Sequence, residues 1–479
     1  MTTTEIRRPL GSADSLSTLC GRAVRALSQP VNIGPLLVLR VAFGLLMAGS
    51  VIRFMARGWI QEFYVQPQFH FTYYGFGWVK PLPEWSLWLL FIALTVFSLF
   101  IAAGFLYRLS IISFFLLFTY VELLDQTFYL NHYYFVSLLS FLLIFLPLNA
   151  AYSLDIRLGW TKPRQFVPAW MVWAVRLQLG LVYFFAGVAK INADWLLSAL
   201  PLRIWLPART ATPLIGTLFD EVWLAFLFSW GGMLFDLTIF FWLSWRKTRL
   251  LAYVAVVVFH GLTGLLFNIG MFPWIMIACT LIFFEWQISP SPQPSSSEGE
   301  GEGATPLPLL GGGLGWGSGH KSRITFIIVT IFLAVQLLLP LRHFLYAGNV
   351  NWTEEGFRFS WRVMLVEKTG HVTFFVRNPE TGQEWLVFPS DYLTPQQEKQ
   401  MSFQPDMIVQ FAHFLAAQYA YPVQVRAQAF VSWNGRSHQL LLDPTQDLTQ
   451  VSIDFRERPW INHASLGAWI ACPHSQLRK

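Results

Sequence analysis

Charge is scarce in this chain. Asp, Glu, Lys and Arg make up 13% of its residues, where a soluble domain carries about a quarter. That shortage excludes a free-standing soluble domain. A formal charge of only +6, with the basic residues spread between apolar runs, also speaks against a nucleic-acid partner. Cysteine is nearly absent: Cys20, Cys279 and Cys472 lie far apart and suggest no disulfide framework. The histidines are never paired at the i, i+3 or i, i+4 spacing of a helical metal site, so no metal is expected. There is no Gly-rich phosphate loop, Ser nucleophile elbow or Cys-x-x-Cys, which leaves nucleotide, esterase and thiol chemistry without support. The N-terminal stretch is polar and lacks an early cleavable apolar core, so the first span is expected to direct insertion.

What remains is apolar. Hydrophobic residues make up 54% of the chain and aromatics 17%, the composition of a polytopic α-helical membrane protein. About nine runs are candidate transmembrane helices: 33–54, 85–107, 109–124, 133–149, 168–190, 222–245, 249–267, 270–288 and 323–341. Arg7, Arg8, Arg22 and Arg25 precede the first run, and every second loop is again basic, at Arg108, at Arg157, Lys162 and Arg164, at Arg246, Lys247 and Arg249, and at Lys321 and Arg323. This bias predicts a cytoplasmic N-terminal tail (1–32) and an outer, exoplasmic C-terminus. A multi-helix membrane domain then covers 33–288 and a last transmembrane helix 321–342. Between them, 289–320 is a Pro-, Gly- and Ser-rich linker of low complexity, from which no packed structure is expected.

From 343 to 479 the composition becomes that of a water-exposed region. Residues 371–388 read as two strands about an Asn-Pro-Glu-Thr-Gly turn, and 423–444 as a hairpin about Asn434-Gly435. The stretch from Pro405 to Tyr419 has helical periodicity. A smaller exoplasmic α+β domain is predicted.

Lys190 ends the apolar run 179–195, and an ionisable group in such a run is costly. It has two readings: an anchor snorkelling to the interface, or an amine kept uncharged by apolar neighbours and able to act as a base. The predicted topology brings Asp125, Asn131, His132, His260 and His343 to the same depth from separate segments. Each histidine alone is more simply a structural hydrogen-bonding group. Their convergence on an intramembrane lysine favours a site.

At these residues the chain resembles the vitamin K-dependent γ-glutamyl carboxylases and their bacterial relatives, which share the HTTM membrane domain. The matching pieces are 64–83, 123–141, 182–195, 235–242, 259–274 and 341–365. The resemblance implies an enzyme that deprotonates vitamin K hydroquinone, oxidises it with O2 to the epoxide, and couples this to CO2 addition at a peptide glutamate. It implies Lys190 and His132 as catalytic residues, and Asn131, His260 and His343 around the quinol. It further implies Trp352, Ser360, Trp361 and Met364 where the glutamate is presented, unless those four simply pack the outer domain on the spans. A lipid bilayer, a glutamate-containing peptide or protein and a quinone-reducing partner follow, as does a place in the cell (inner) membrane. Ala189 and Asn192 depart from the animal enzymes, which carry a lysine and an acid there, and the cysteine pair joining their halves is absent. The competing readings are epoxidation without carboxylation, a quinone- or lipid-binding protein without catalysis, and a transporter, although no internal repeat is visible.

Overall fold

The computed structural model describes residues 16–213, 215–267, 269–289 and 320–464. The low-complexity stretch lies outside these described residues except at its two ends. Nine apolar helices follow in order: α1 (Gly34–Ala56), α2 (Glu84–Ala103), α3 (Tyr107–Leu124), α4 (Asn131–Ile144), α5 (Ala169–Ala189), α6 (Val222–Ser244), α7 (Arg249–Leu266), α8 (Phe272–Thr280) and α9 (His320–Leu338). Every apolar run of the sequence thus forms a helix, but only 7 are long and apolar enough to cross a membrane among the described residues. The two short ones are α4 and α8. The 14 residues of α4 span about 21 Å, against roughly 30 Å of hydrocarbon. Pro147 follows closely and prevents the helix from continuing.

A short helix leaves bare carbonyls at its end, and hydrocarbon offers them no partner. Two buried arginines from neighbouring helices supply one. Arg40 of α1 donates to the carbonyls of Leu148 (2.9 Å), Ala151 (3.0 Å) and Tyr152 (2.8 Å), just past α4. Arg176 of α5 donates to those of Ile282 (3.1 Å) and Phe283 (3.2 Å), just past α8. At the same end of the bundle, β1 (Pro30–Asn32) pairs with β2 (Phe166–Pro168) and ties the start of α1 to the start of α5.

Helices α5 and α6 lie in direct contact because α5 carries Gly180 and Gly187 on one face. A Cβ at Gly187 would meet Leu237 of α6 at 2.8 Å, and one at Gly180 would meet Phe240 at 2.5 Å. Lipid tails are as apolar as leucine, so close backbone approach of this kind replaces the hydrophobic drive between membrane helices.

The C-terminal domain is a four-stranded antiparallel sheet of order β4-β3-β5-β6, built from β3 (Lys368–Arg377), β4 (Glu384–Val387), β5 (Gln424–Trp433) and β6 (Gln439–Leu440). Both hairpins form where the turn residues ask for them. Asn434 (φ 52°) and Gly435 (φ 72°) are both left-handed, and the Arg436 N–H closes their turn on the Trp433 carbonyl at 3.2 Å. Helix α10 (Pro405–Ala416) covers the sheet, burying Phe411 against Phe374. Phe71, from the α1–α2 loop, is fully buried in this same core.

Polar side chains bolt the domain to the membrane helices. Gln397 Nε2 donates to Asp125 Oδ2 (2.8 Å) and Gln126 Nε2 to Asp406 Oδ2 (3.0 Å), while Arg358 Nη1, from the C-terminal part itself, braces Asp406 Oδ2 at 2.7 Å. Burial alone would push the Asp406 carboxyl up, but the Arg358 guanidinium overrides it and holds it well below the usual carboxylate range.

Candidate active site

Helix α5 ends at Lys190, its C-terminal cap. The side chain turns back along the bundle rather than out of it. Lys190 Nζ donates to Asp236 Oδ2 of α6 at 2.8 Å and to the Ala186 carbonyl at 3.2 Å, and it lies 5.4 Å from the centre of the Trp195 ring. Both partners are buried, Lys190 at 6% exposure and Asp236 at 4%. From its sequence position Lys190 is either an anchor snorkelling to the interface or an amine kept uncharged by apolar neighbours. The structure gives it a buried carboxylate partner.

Residues 193–213 and 215–220 fold over this pair as a cover, with Trp195, Leu202, Leu206 and Phe219 packed on Leu224 and Leu266. The C-terminal domain holds the cover in place. Arg436, at the β5–β6 turn, makes a two-pronged bond to Asp194 (2.6 and 2.8 Å), and Asn434 Nδ2 adds a third contact at 2.7 Å. Asp194 lies four positions after Lys190, so the domain fixes the cover that encloses the amine.

Beneath the cover is a cavity of about 410 Å³. Lys190, Asp236, Tyr183 and His260 are its chief polar features, and its walls include Phe235, Phe259, Phe272 and Met364. His260 Nε2 lies 2.9 Å from the Tyr183 hydroxyl, while its Nδ1 is buried without a hydrogen-bond partner. The cavity therefore has an ion pair and an imidazole set in an otherwise apolar wall. That is the arrangement a flat apolar molecule with polar oxygens requires.

The structure gathers some of the expected site residues and separates others. Lys190, His260 and Met364 line the cavity. His132 is one ring removed: Phe272 lies between it and His260, with centroids 5.9 and 5.8 Å away respectively. Asn131 accepts from the Tyr129 hydroxyl (3.1 Å) and donates to the Arg362 carbonyl (3.3 Å). His343 makes its bond to the Pro340 carbonyl at 2.8 Å and does not line the cavity. Ser360 donates to the Gly356 carbonyl, and Trp361 is wedged against Tyr134 and Phe135. Trp352 lies in the core of the C-terminal domain. Phe359, Trp361 and Met364 all have left-handed backbone (φ 62°, 58° and 52°), strain that three non-glycine residues in one short segment bear beside the cavity.

Asp236, the partner of Lys190, is not among the residues singled out from the sequence. The signal was present, since it is the only charged residue within α6. Its pairing with a residue 46 positions away was not legible.

Residues 28–287 match the HTTM domain family, and residues 321–466 match the vitamin K-dependent gamma-carboxylase, lumenal domain. The chain belongs to the vitamin K-dependent gamma-carboxylase family. The two matches meet the structure at the cover, where the lumenal-type domain of this carboxylase family member grips Asp194 of its HTTM domain. No solved structure matches the chain.

Proposed function

We propose that this protein is a vitamin K hydroquinone-dependent epoxidase coupled to γ-carboxylation of a peptide glutamate with O2 and CO2. The observation that carries the reading is the buried Lys190–Asp236 pair in the wall of an apolar cavity. The residues present fit the naphthoquinol: aromatic walls for its rings, and Lys190 and His260 as polar groups for its oxygens. When bound, the quinol supplies the electrons that reduce O2, and its conversion to the epoxide drives removal of a proton from the glutamyl γ-carbon, to which CO2 then adds.

The work of the chain is proton handling. When Lys190 passes a proton to Asp236 Oδ2, the amine becomes neutral and the carboxyl neutral with it. That amine accepts the proton of a quinol hydroxyl, and the resulting ammonium stands beside the negative oxygen it has created. Asp236 thus acts as the proton store that lets a paired lysine serve as a base. Tyr183 orients the His260 ring through Nε2. His132 supports the far side of Phe272. Trp361 and Met364 belong to the strained segment along which the glutamate approaches, with Ser360 bracing it. The N-terminus is placed in the cytoplasm and the C-terminal domain outside, in the cell membrane, with a membrane reductase regenerating the quinol.

The test is epoxide formation by the purified protein given reduced vitamin K and O2. We expect Lys190→Ala to abolish it while folding is retained. Equal turnover in that variant removes Lys190 from the chemistry. Labelled CO2 and a glutamyl peptide test the second half-reaction, and label that stays wholly in solution restricts the activity to epoxidation.

A further inference from the structure

The cavity is not sealed on the side of helices α6 and α7. Among its lining residues, Leu227 and Gly231 stand four apart on α6, and Val258 and Leu262 four apart on α7. Such spacing stacks each pair on one helix face. All four are also open to the outside of the bundle, with Leu227 at 56% and Val258 at 54% exposure. A Cβ at Gly231 would meet nothing within 4 Å. The stacked rings of Phe235 and Phe259, centroids 4.1 Å apart, join the two helices at this level. These four residues therefore belong at once to the cavity and to the surface that hydrocarbon covers.

We infer that this slot is the passage for the apolar tail of the quinone, through which the ring enters sideways from the lipid phase and the tail remains outside. The inference rests on the quinone reading above. A cavity of about 410 Å³ is near the small end of ligand pockets, roughly 300–1,000 Å³. With the ring beside Lys190, a long isoprenoid tail has to leave it. The slot is the wall that leads to apolar surroundings, whereas the cover and the C-terminal domain lead to water. Because lipid and slot are equally apolar, the slot adds little affinity for the tail. It acts as a steric requirement: blocking it rejects tailed molecules and spares tail-less ones.

The test uses the full chain in lipid nanodiscs and measures equilibrium binding of two radiolabelled ligands: 2-methyl-1,4-naphthoquinone and the same ring carrying a phytyl tail. Gly231→Trp places a large ring in the slot. We expect it to weaken the tailed ligand relative to the tail-less one on the order of tenfold or more. Val258→Trp, on the facing helix, is expected to do the same. Gly49→Trp is the control, because Gly49 is likewise an exposed α1 glycine with open space around it, away from the cavity. An unchanged ratio in Gly231→Trp and Val258→Trp, whether both ligands weaken together or neither does, overturns the passage. Wild-type protein that binds neither ring overturns the quinone reading itself, a different result from a tailed ligand that binds regardless of Gly231.

Discussion

The Lys190–Asp236 pair makes a prediction that separates a structural ion pair from a catalytic one. Removing one partner of a buried pair typically costs roughly 3–5 kcal/mol, whereas replacing both by apolar groups of similar size is near neutral. Both side chains here are more than nine-tenths buried. Lys190 retains the Ala186 carbonyl and the Trp195 ring when Asp236 is lost, and it sits at a helix end from which an amine can snorkel. Asp236→Leu is therefore expected near the lower figure, about 3 kcal/mol. Lys190→Met should cost less, because an abandoned carboxyl neutralises itself by taking up a proton. The double variant Lys190→Met/Asp236→Leu should return to within about 1 kcal/mol of the wild type. Unfolding in mixed micelles titrated with SDS gives the four stabilities, and epoxide formation is measured on the same samples. Stability should recover in the double variant while turnover stays abolished. A coupling energy below about 0.5 kcal/mol would refute the electrostatic account of the pair. Epoxide formed by the stable double variant would remove both residues from the mechanism.

Three further outcomes follow from the geometry. Gly187→Val drives a side chain into the backbone and side chain of Leu237, so α5 and α6 must part; we expect about 1–3 kcal/mol of destabilisation and a fall in epoxidation larger than that loss explains, read by unfolding and turnover together. Tyr183→Phe frees His260 Nε2 and should lower turnover with little change in melting temperature, since the ring keeps its packing. Asp406 is held low by Arg358, so the stability it contributes is present above the ordinary carboxylate range and is lost only as pH falls through its depressed value; protease resistance of the domain junction should accordingly survive at pH 4, whereas Asp406→Asn should expose the junction at neutral pH.

Much of the fold could be read from residue order. Apolar runs became helices, and Asn434-Gly435 became the turn of a hairpin, because both signals are local. Length was misjudged for α4 and α8, where apolar residues continue beyond the helix as 3-10 turns and loop. Arg40 and Arg176 were hidden for the same reason: their purpose is set by carbonyls more than 100 positions away. Lys190 and His260, which both line the cavity, were legible because an ionisable group stands out in hydrocarbon. Asp236 was not assigned because an isolated carboxylate gives no hint of which helix it faces. His343 and Trp352 match by position in the chain, yet a turn of the backbone carries one away from the cavity and the other into a separate core.

Phe71 has a consequence for how the molecule is made. It reaches the core of the C-terminal domain from the loop after α1, among Phe374, Phe411 and Val425. During synthesis this aromatic ring emerges long before its neighbours exist, and it must wait while the intervening helices enter the membrane. A fragment beginning near residue 343 would lack that ring and fold around a hole, so the two parts of the chain are expected to mature together and to resist separate expression.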